Sequence, residues 1–260
     1  TGARPSVAAG RISFVLGMQG PCTTIDTACS SALAAVDFAQ LHLLTAHASS
    51  ALAFAVNVIL TPSTSVSFAR AGMLSHDGRC KTFDSRANGY VRAEGVGGLV
   101  LTAVPSGTGV ALELASNVVR QDGLSASLTA PNGVAQSRLL GAAISEAALE
   151  PSELKLIEPH GTGTPLGDPT EIRSLVRASS TMSPAIYGIK ANIGHLEPAA
   201  GSAGLIVLAA SLRTGQVGAC AQLRAMNPKI VDAVVAGAKL AFPAQPTAAG
   251  AAAPRPAAAH

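Results

Sequence analysis

The chain has 260 residues and a mass of 25.8 kDa, a mean of about 99 Da per residue against the roughly 110 Da of ordinary usage, so alanine and glycine dominate and small side chains set the packing. Hydrophobic residues make up 48% and charged ones 13%, which suits a chain that buries a large core and excludes a disordered polar tail. A net charge of +3 without any Lys/Arg run excludes a polyanion-binding surface and with it a direct nucleic-acid role.

Cys22, Cys29, Cys80 and Cys220 lie far apart with no Cys-x-x-Cys, and a chain of this length folds without disulfide staples, so a reducing, cytoplasmic compartment is expected. The most apolar stretches, Ala51 to Leu60 and Ala199 to Leu212, stop short of the roughly 20 residues of a spanning helix and read as buried elements with no membrane span. The chain opens on Thr1 without a basic or apolar leader, so no signal peptide is expected and the start reads as a fragment boundary.

In chain order, Gly20-Pro21 is turn punctuation and Cys22 to Ile25 a short strand ending near Asp26. From Cys29, Leu33, Val36, Asp37, Gln40, Leu41 and Leu44 repeat at three-and-four spacing, with Asp26 or Thr27 placed to cap a helix. Ala51 to Leu60 and Gly89 to Val104 read as strands buried on two faces. Val110 to Val119 is strand-like, and Val134 to Leu149 helical up to Pro151. Leu154 to Glu158 predicts a strand, His160 to Gly167 a Gly-rich loop, and Asp168-Pro-Thr-Glu171 a capping box opening a helix from Pro169 to about Ala178. Ile186 to Ile189 is the next strand and Lys190 to His195 another polar loop. Pro198 to Leu212 is a helix whose Gly201 and Gly204 imply close backbone packing. Cys220 to Lys239 is mixed, and from Pro243 onward the Ala/Pro-rich sequence reads as linker or tail outside the core. Alternating strands and helices make the class α/β, with Cys29, His160 and His195 just beyond strand ends, where ligands collect in such sheets.

A cysteine is more often an inert core filler than a nucleophile. Cys29 differs because it opens a helix, where free N–H groups favour a thiolate, and because Ala28, Ser30 and Ser31 leave room for a substrate. The other three cysteines keep the bland reading, as do His42, His47, His76 and His260. His160 and His195 each sit in a Gly-containing strand-to-helix loop, which lets a substrate approach closely, and with Cys29 they make a nucleophile plus two donors or bases. Lys190, at the end of an apolar strand, reads either as a surface charge or as a partly buried, charge-orienting group. A zinc site from Cys29, His160 and His195 lacks any short metal-type spacing, so no metal is expected.

Six blocks carry a resemblance: Asp26-Thr-Ala-Cys-Ser-Ser-Ala-Leu33, Lys81-Thr-Phe-Asp84, Gly89-Tyr-Val-Arg-Ala-Glu-Gly95, Leu128-Thr-Ala-Pro-Asn-Gly133, His160-Gly-Thr-Gly-Thr-Pro-Leu-Gly-Asp-Pro169 and Lys190-Ala-Asn-Ile-Gly-His195. Together, in this order and over roughly residues 1 to 243, they resemble the β-ketoacyl synthase (ketosynthase) domain of modular type I polyketide synthases. The resemblance implies a thiolase-like fold with duplicated α-β-α-β-α layers and mixed central sheets, lacking the opening of its N-terminal half and its C-terminal end. Residues 1–109 would be the remainder of the N-terminal half, 110–242 the C-terminal half and 243–260 the tail. The family's C-terminal Gly-Phe-type loop, which gives the second oxyanion donor, has no counterpart here. Gly10, Pro159 and Ala191 depart from the family's usual Asn, Ala and Ser.

The resemblance also implies a reaction: decarboxylative Claisen condensation, with an acyl group on Cys29 and a malonyl-type extender on a carrier protein, in polyketide or fatty acid chain elongation. His160 and His195 would assist decarboxylation, Lys190 would hold the local charge, Thr162 and Thr164 would contact the pantetheine arm, and the Cys29 backbone N–H would be an oxyanion donor. His195, where initiating synthases carry Asn, points to elongation. No cofactor would be bound directly, the substrates riding on phosphopantetheine of an acyl carrier protein. Partners would be that carrier domain, acyltransferase and other synthase domains, and a second copy in a homodimer. Two other readings stand beside it: a non-catalytic dimerisation or carrier-docking module, and a cysteine-dependent acyl hydrolase or transferase.

Overall fold

Short apolar runs and alanine-rich amphipathic segments alternate along the chain, and the computed structural model, which describes residues 4–105, 109–110, 112–127, 130–235 and 239–248, turns them into strands and helices in that rhythm. The helices are α1 (Ala8–Leu16), α2 (Ser31–Leu44), α3 (Pro62–Arg70), α4 (Gly133–Glu146), α5 (Gly167–Ala178), α6 (Lys190–Ile193), α7 (Ala200–Thr214) and α8 (Pro228–Val235). The strands are β1 (Ser50–Asn57), β2 (Gly95–Thr102), β3 (Leu156–Ile157), β4 (Ala185–Ile186), β5 (Gln216–Val217) and β6 (Thr247–Ala248). No helix among the described residues is long and apolar enough to cross a membrane.

β1 and β2 pair antiparallel from Ser50 opposite Thr102 to Asn57 opposite Gly95. β3 and β4 pair in parallel, and β5 pairs antiparallel with β6. Two cores result. Ala32, Ala55, Leu196, Ala199 and Ala200 join α2, β1 and the start of α7; Phe83, Ile172, Ile186, Val217, Ile230 and Phe242 form the larger one. The first is nearly all alanine, so helices can approach closely: a Cβ on Gly201 of α7 would stand 2.7 Å from Leu33 Cγ of α2. That bears out the packing expected of Gly201. Gly204 packs as closely, with Glu158 Oε2 2.7 Å from its would-be Cβ.

Several expectations are corrected. β1 and β2 bury one face only: Ala53 and Ala55 are covered, whereas Phe54, Val56, Val96 and Val100 are exposed, because α2 and α7 lie on one side of the pair. Cys22 to Ile25 and the described part of Val110 to Val119 (residue 111 lies outside) form no strand, since a β-prone segment needs a partner for its backbone groups. Residues 190–193 coil into the single turn α6 instead of a loop. Pro243 is fully buried and its carbonyl accepts from Cys220 N–H (3.0 Å), so the core runs past the expected tail boundary; residues 249–260 lie outside the described residues, as do Leu128 and Thr129.

Candidate active site

Cys29 is set by a turn built from short polar side chains. Ala28 N–H donates to Asp26 Oδ1 (3.0 Å) and Thr27 N–H to Ser31 Oγ (2.9 Å). The Ser31 hydroxyl donates to Ala28 O (2.7 Å) and the Ser30 hydroxyl to Thr27 O (2.9 Å). These bonds hold Ala28 at φ +56°, a left-handed conformation that costs an L residue about 1–2 kcal/mol. The half-buried Cys29 then projects from a single 3₁₀ turn, Ala28–Ser30, that feeds α2.

His160 lies beyond β3, and α5 fixes its loop from behind. Glu171 accepts from His160 N–H (2.5 Å) and Gly161 N–H (2.9 Å). Asp168 accepts from Gly163 N–H (3.0 Å) and Phe83 N–H (2.8 Å). The expected capping box is thus corrected: the helix starts at Gly167 with no side-chain cap, and both carboxylates accept from the backbone of the His160 loop. The glycines are corrected in the same sense. Gly163 has φ +76° and a would-be Cβ 2.7 Å from Lys81 N, so it lets the loop lie on the 80–82 backbone; no substrate need approach it there.

His195 is 3% exposed and stitched into the backbone of residues 91–93: its N–H donates to Val91 O (2.8 Å) and its carbonyl accepts from Ala93 N–H (2.9 Å). Its Nδ1 accepts from Glu197 N–H (3.1 Å). A neutral imidazole with an accepting Nδ1 carries its proton on Nε2. His195 therefore presents Nε2–H as a donor.

The structure brings the three predicted side chains together. Cys29, His160 and His195 offer atoms that all lie within 4.8 Å of one another, and the two imidazoles meet edge to face, centroids 5.3 Å apart at 82°. Three such atoms could chelate a metal by distance alone; the Nε2 proton of His195 makes that nitrogen a donor in place of a lone pair. Lys190, first residue of α6 and 4% exposed, is the buried charge beside them. His160 keeps part of its surface exposed, yet the protein packed around its ring, then Lys190, lowers it to about 4; burial, then His160 and Lys190, lowers His195 to about 3. Both are neutral at pH 7. Burial pushes the Cys29 thiol up, opposed by its own backbone N–H and by Lys190. The helix-start thiolate read from the sequence is corrected accordingly: desolvation outweighs the free N–H groups.

Thr162 is 6% exposed, its Oγ1 is 3.3 Å from Thr164 Oγ1, and Thr164 Oγ1 accepts from Gly167 N–H (3.1 Å). Thr164 is the more open of the two. The sequence reading missed Glu158. Its Oε1 accepts from Ile189 N–H (3.2 Å), and burial raises it to about 7 against the pull of Lys190. Its signal was a lone acid two residues before His160 on an apolar strand. It also missed the Arg92 and Glu197 pair, whose acidic member lies two residues after His195.

Known proteins resemble this chain over most of its length. Residues 1–105 match the family model "Beta-ketoacyl synthase, N-terminal domain" and residues 112–224 match "Beta-ketoacyl synthase, C-terminal domain". The chain is 43% identical over 225 residues to a phenolphthiocerol/phthiocerol polyketide synthase of Mycobacterium tuberculosis, covering 84% of this chain and 10% of that protein. It is 41% identical to polyketide synthase GfsA of Streptomyces halstedii, covering 83% of this chain and 3% of that one. Among solved structures, the oxazolomycin ketosynthase domain OzmH KS7 of Streptomyces albus superposes with a TM-score of 0.90 at 33% identity, over 95% of this chain and 44% of that one. The module 6 ketosynthase of the bacillaene synthase of Bacillus subtilis gives 0.86 at 30%, over 96% and 46%. The chain thus spans a tenth or less of these two synthases and under half of the solved domains. The architecture is the thiolase-like one expected, and the chain belongs to the β-ketoacyl synthase family, among the ketosynthase domains of polyketide synthases.

Proposed function

We propose that this chain supplies the reacting side chains of a ketosynthase that extends an acyl chain by decarboxylative condensation. The observation that carries this reading is the meeting of a thiol and two neutral imidazoles within 4.8 Å, one imidazole held as an Nε2–H donor by Glu197 N–H. In the first half-reaction Cys29 Sγ attacks an acyl thioester; the new S–C bond forms, the carrier S–C bond breaks, and the thiol proton passes to the leaving sulfur through His160, whose ring carries no hydrogen bond within the described residues. The Cys29 backbone N–H stabilises the tetrahedral oxyanion.

In the second half-reaction the C–CO2 bond of a malonyl-type thioester breaks. CO2 leaves, the electron pair becomes an enolate, and the Nε2–H of His195, aimed at the enolate oxygen, lowers the barrier because Glu197 N–H already holds it in that tautomer. The enolate carbon then attacks the Cys29 thioester, and the Cys29 sulfur leaves. Desolvation, with Lys190 adding to it, keeps both imidazoles neutral, so each can take up a proton as well as donate one. Thr164 and its neighbour Thr162 would contact the phosphopantetheine arm. The substrates would ride on an acyl carrier protein, beside acyltransferase and other synthase domains, and the ketosynthase would act as a homodimer whose N-terminal half contributes residues 1–109 and C-terminal half 110–242.

The two half-reactions are separable by experiment. Replacing Cys29 by Gln removes the nucleophile and leaves both imidazoles, so release of CO2 from a malonyl thioester should persist while condensation falls below detection. Loss of both activities in a folded Cys29→Gln variant contradicts this division of labour.

A further inference from the structure

The bond on which the donor role of His195 depends is made by a backbone N–H in an unfavourable conformation. Glu197 has φ +46°, a left-handed value that a non-glycine residue adopts only when its surroundings hold it there. What holds it is Arg92. The guanidinium grips the Glu197 carboxylate with two nitrogens: Nε pairs with Oε1, and Nη2 with Oε2 at 3.0 Å. The two side chains are only 8% and 15% exposed, so solvent screens the pair little. The far side of Arg92 is fixed too, since Nη1 donates to Ser65 Oγ (2.7 Å) and the guanidinium lies 5.4 Å from the centre of the Phe68 ring. Ser65 and Phe68 both stand on α3. Arg92 is also bridged to His195 in parallel register, so one segment supports both the imidazole's own backbone and the residue that donates to its Nδ1.

We propose that Arg92 is a positioning residue: through Glu197 it holds the Glu197 N–H on Nδ1 of His195 and so keeps the His195 proton on Nε2, facing the reaction. This rests on the condensing role proposed above, but its test does not. The alternative is an ion pair that staples α3 to the loop without affecting the imidazole.

The experiment uses the 260-residue chain labelled with 15N-histidine, read by long-range 1H–15N correlation at pH 7, with His195 assigned by its absence from His195→Gln. The native chain should show His195 wholly as the Nε2–H tautomer. Arg92→Met should convert it to a mixture with Nδ1–H while the other histidine signals and the circular dichroism stay unchanged, and Arg92→Lys should restore the Nε2–H form in large part. A folded Arg92→Met whose His195 stays wholly Nε2–H overturns the proposal. Should Arg92→Met not fold, Glu197→Gln, which keeps the shape and removes the charge, decides in the same way: a mixture supports the proposal and an unchanged tautomer overturns it. A tautomer shift in a protein that releases no CO2 would leave this inference standing and remove the reaction proposed above.

Discussion

At Cys29 two requirements oppose each other. A nucleophile close to two histidines must leave water, and leaving water raises its pKa, as burial does here. Two imidazoles and the buried Lys190 stand nearby, and the cysteine itself is protonated at rest. The same desolvation keeps the histidines neutral, with a consequence for stability. His195 titrates at about 3 in the folded chain and at about 6.5 in an unfolded one. The unfolded state therefore binds the extra proton as pH falls below 6.5; the contribution of neutral His195 is complete above that pH and declines toward the folded value. Between pH 7.5 and 5 the native chain should lose about 2 kcal/mol more than His195→Gln. Urea midpoints at the two pH values measure it, and equal losses in both proteins would contradict a neutral buried His195.

Helices and strands set how close these residues can come. α7 meets α2 through Gly201, whose would-be Cβ stands 2.7 Å from Leu33 Cγ, so Gly201→Ala forces a shift and should destabilise by about 1–3 kcal/mol. Gly141 of α4 has nothing within 4 Å of its would-be Cβ, and Gly141→Ala should stabilise by about 1 kcal/mol through helix propensity alone. Opposite signs in denaturant unfolding check the packing account; a neutral or stabilising Gly201→Ala would contradict it. At this scale the sequence was legible where order is local. The three-and-four spacing from Leu33 to Leu44 is α2, and the apolar run after Ser50 is β1. It was misread where order depends on a distant partner. Cys22 to Ile25 has a strand's composition but no ladder, and the carboxylates of Asp168 and Glu171 turn away from their own helix to loops joined only by the tertiary fold.

For the whole molecule, the site is an assembly of three chain crossings: the turn at Cys29, the loop at His160 and the loop at His195, with Lys190 buried beside them. Their identities were readable because each stands in a distinctive local motif, although only His160 follows closely on a strand, β3; the strand expected before Cys29 does not form. Their support was not, since Arg92 and Glu197 are 105 residues apart and no local pattern joins them. The exposed apolar faces of α1, with Phe14 89% and Val15 78% exposed, and of β1 and β2 fit a piece that spans under half of the solved domains it resembles. The central claim is that Cys29 carries the acyl chain. Incubating a complete ketosynthase domain containing this sequence with an acyl thioester, then mapping the adduct by peptide mass spectrometry, tests it most directly. The acyl mass should appear on the peptide containing Cys29 and vanish in Cys29→Ala; an adduct on Cys22, Cys80 or Cys220, or none at all, would contradict the account.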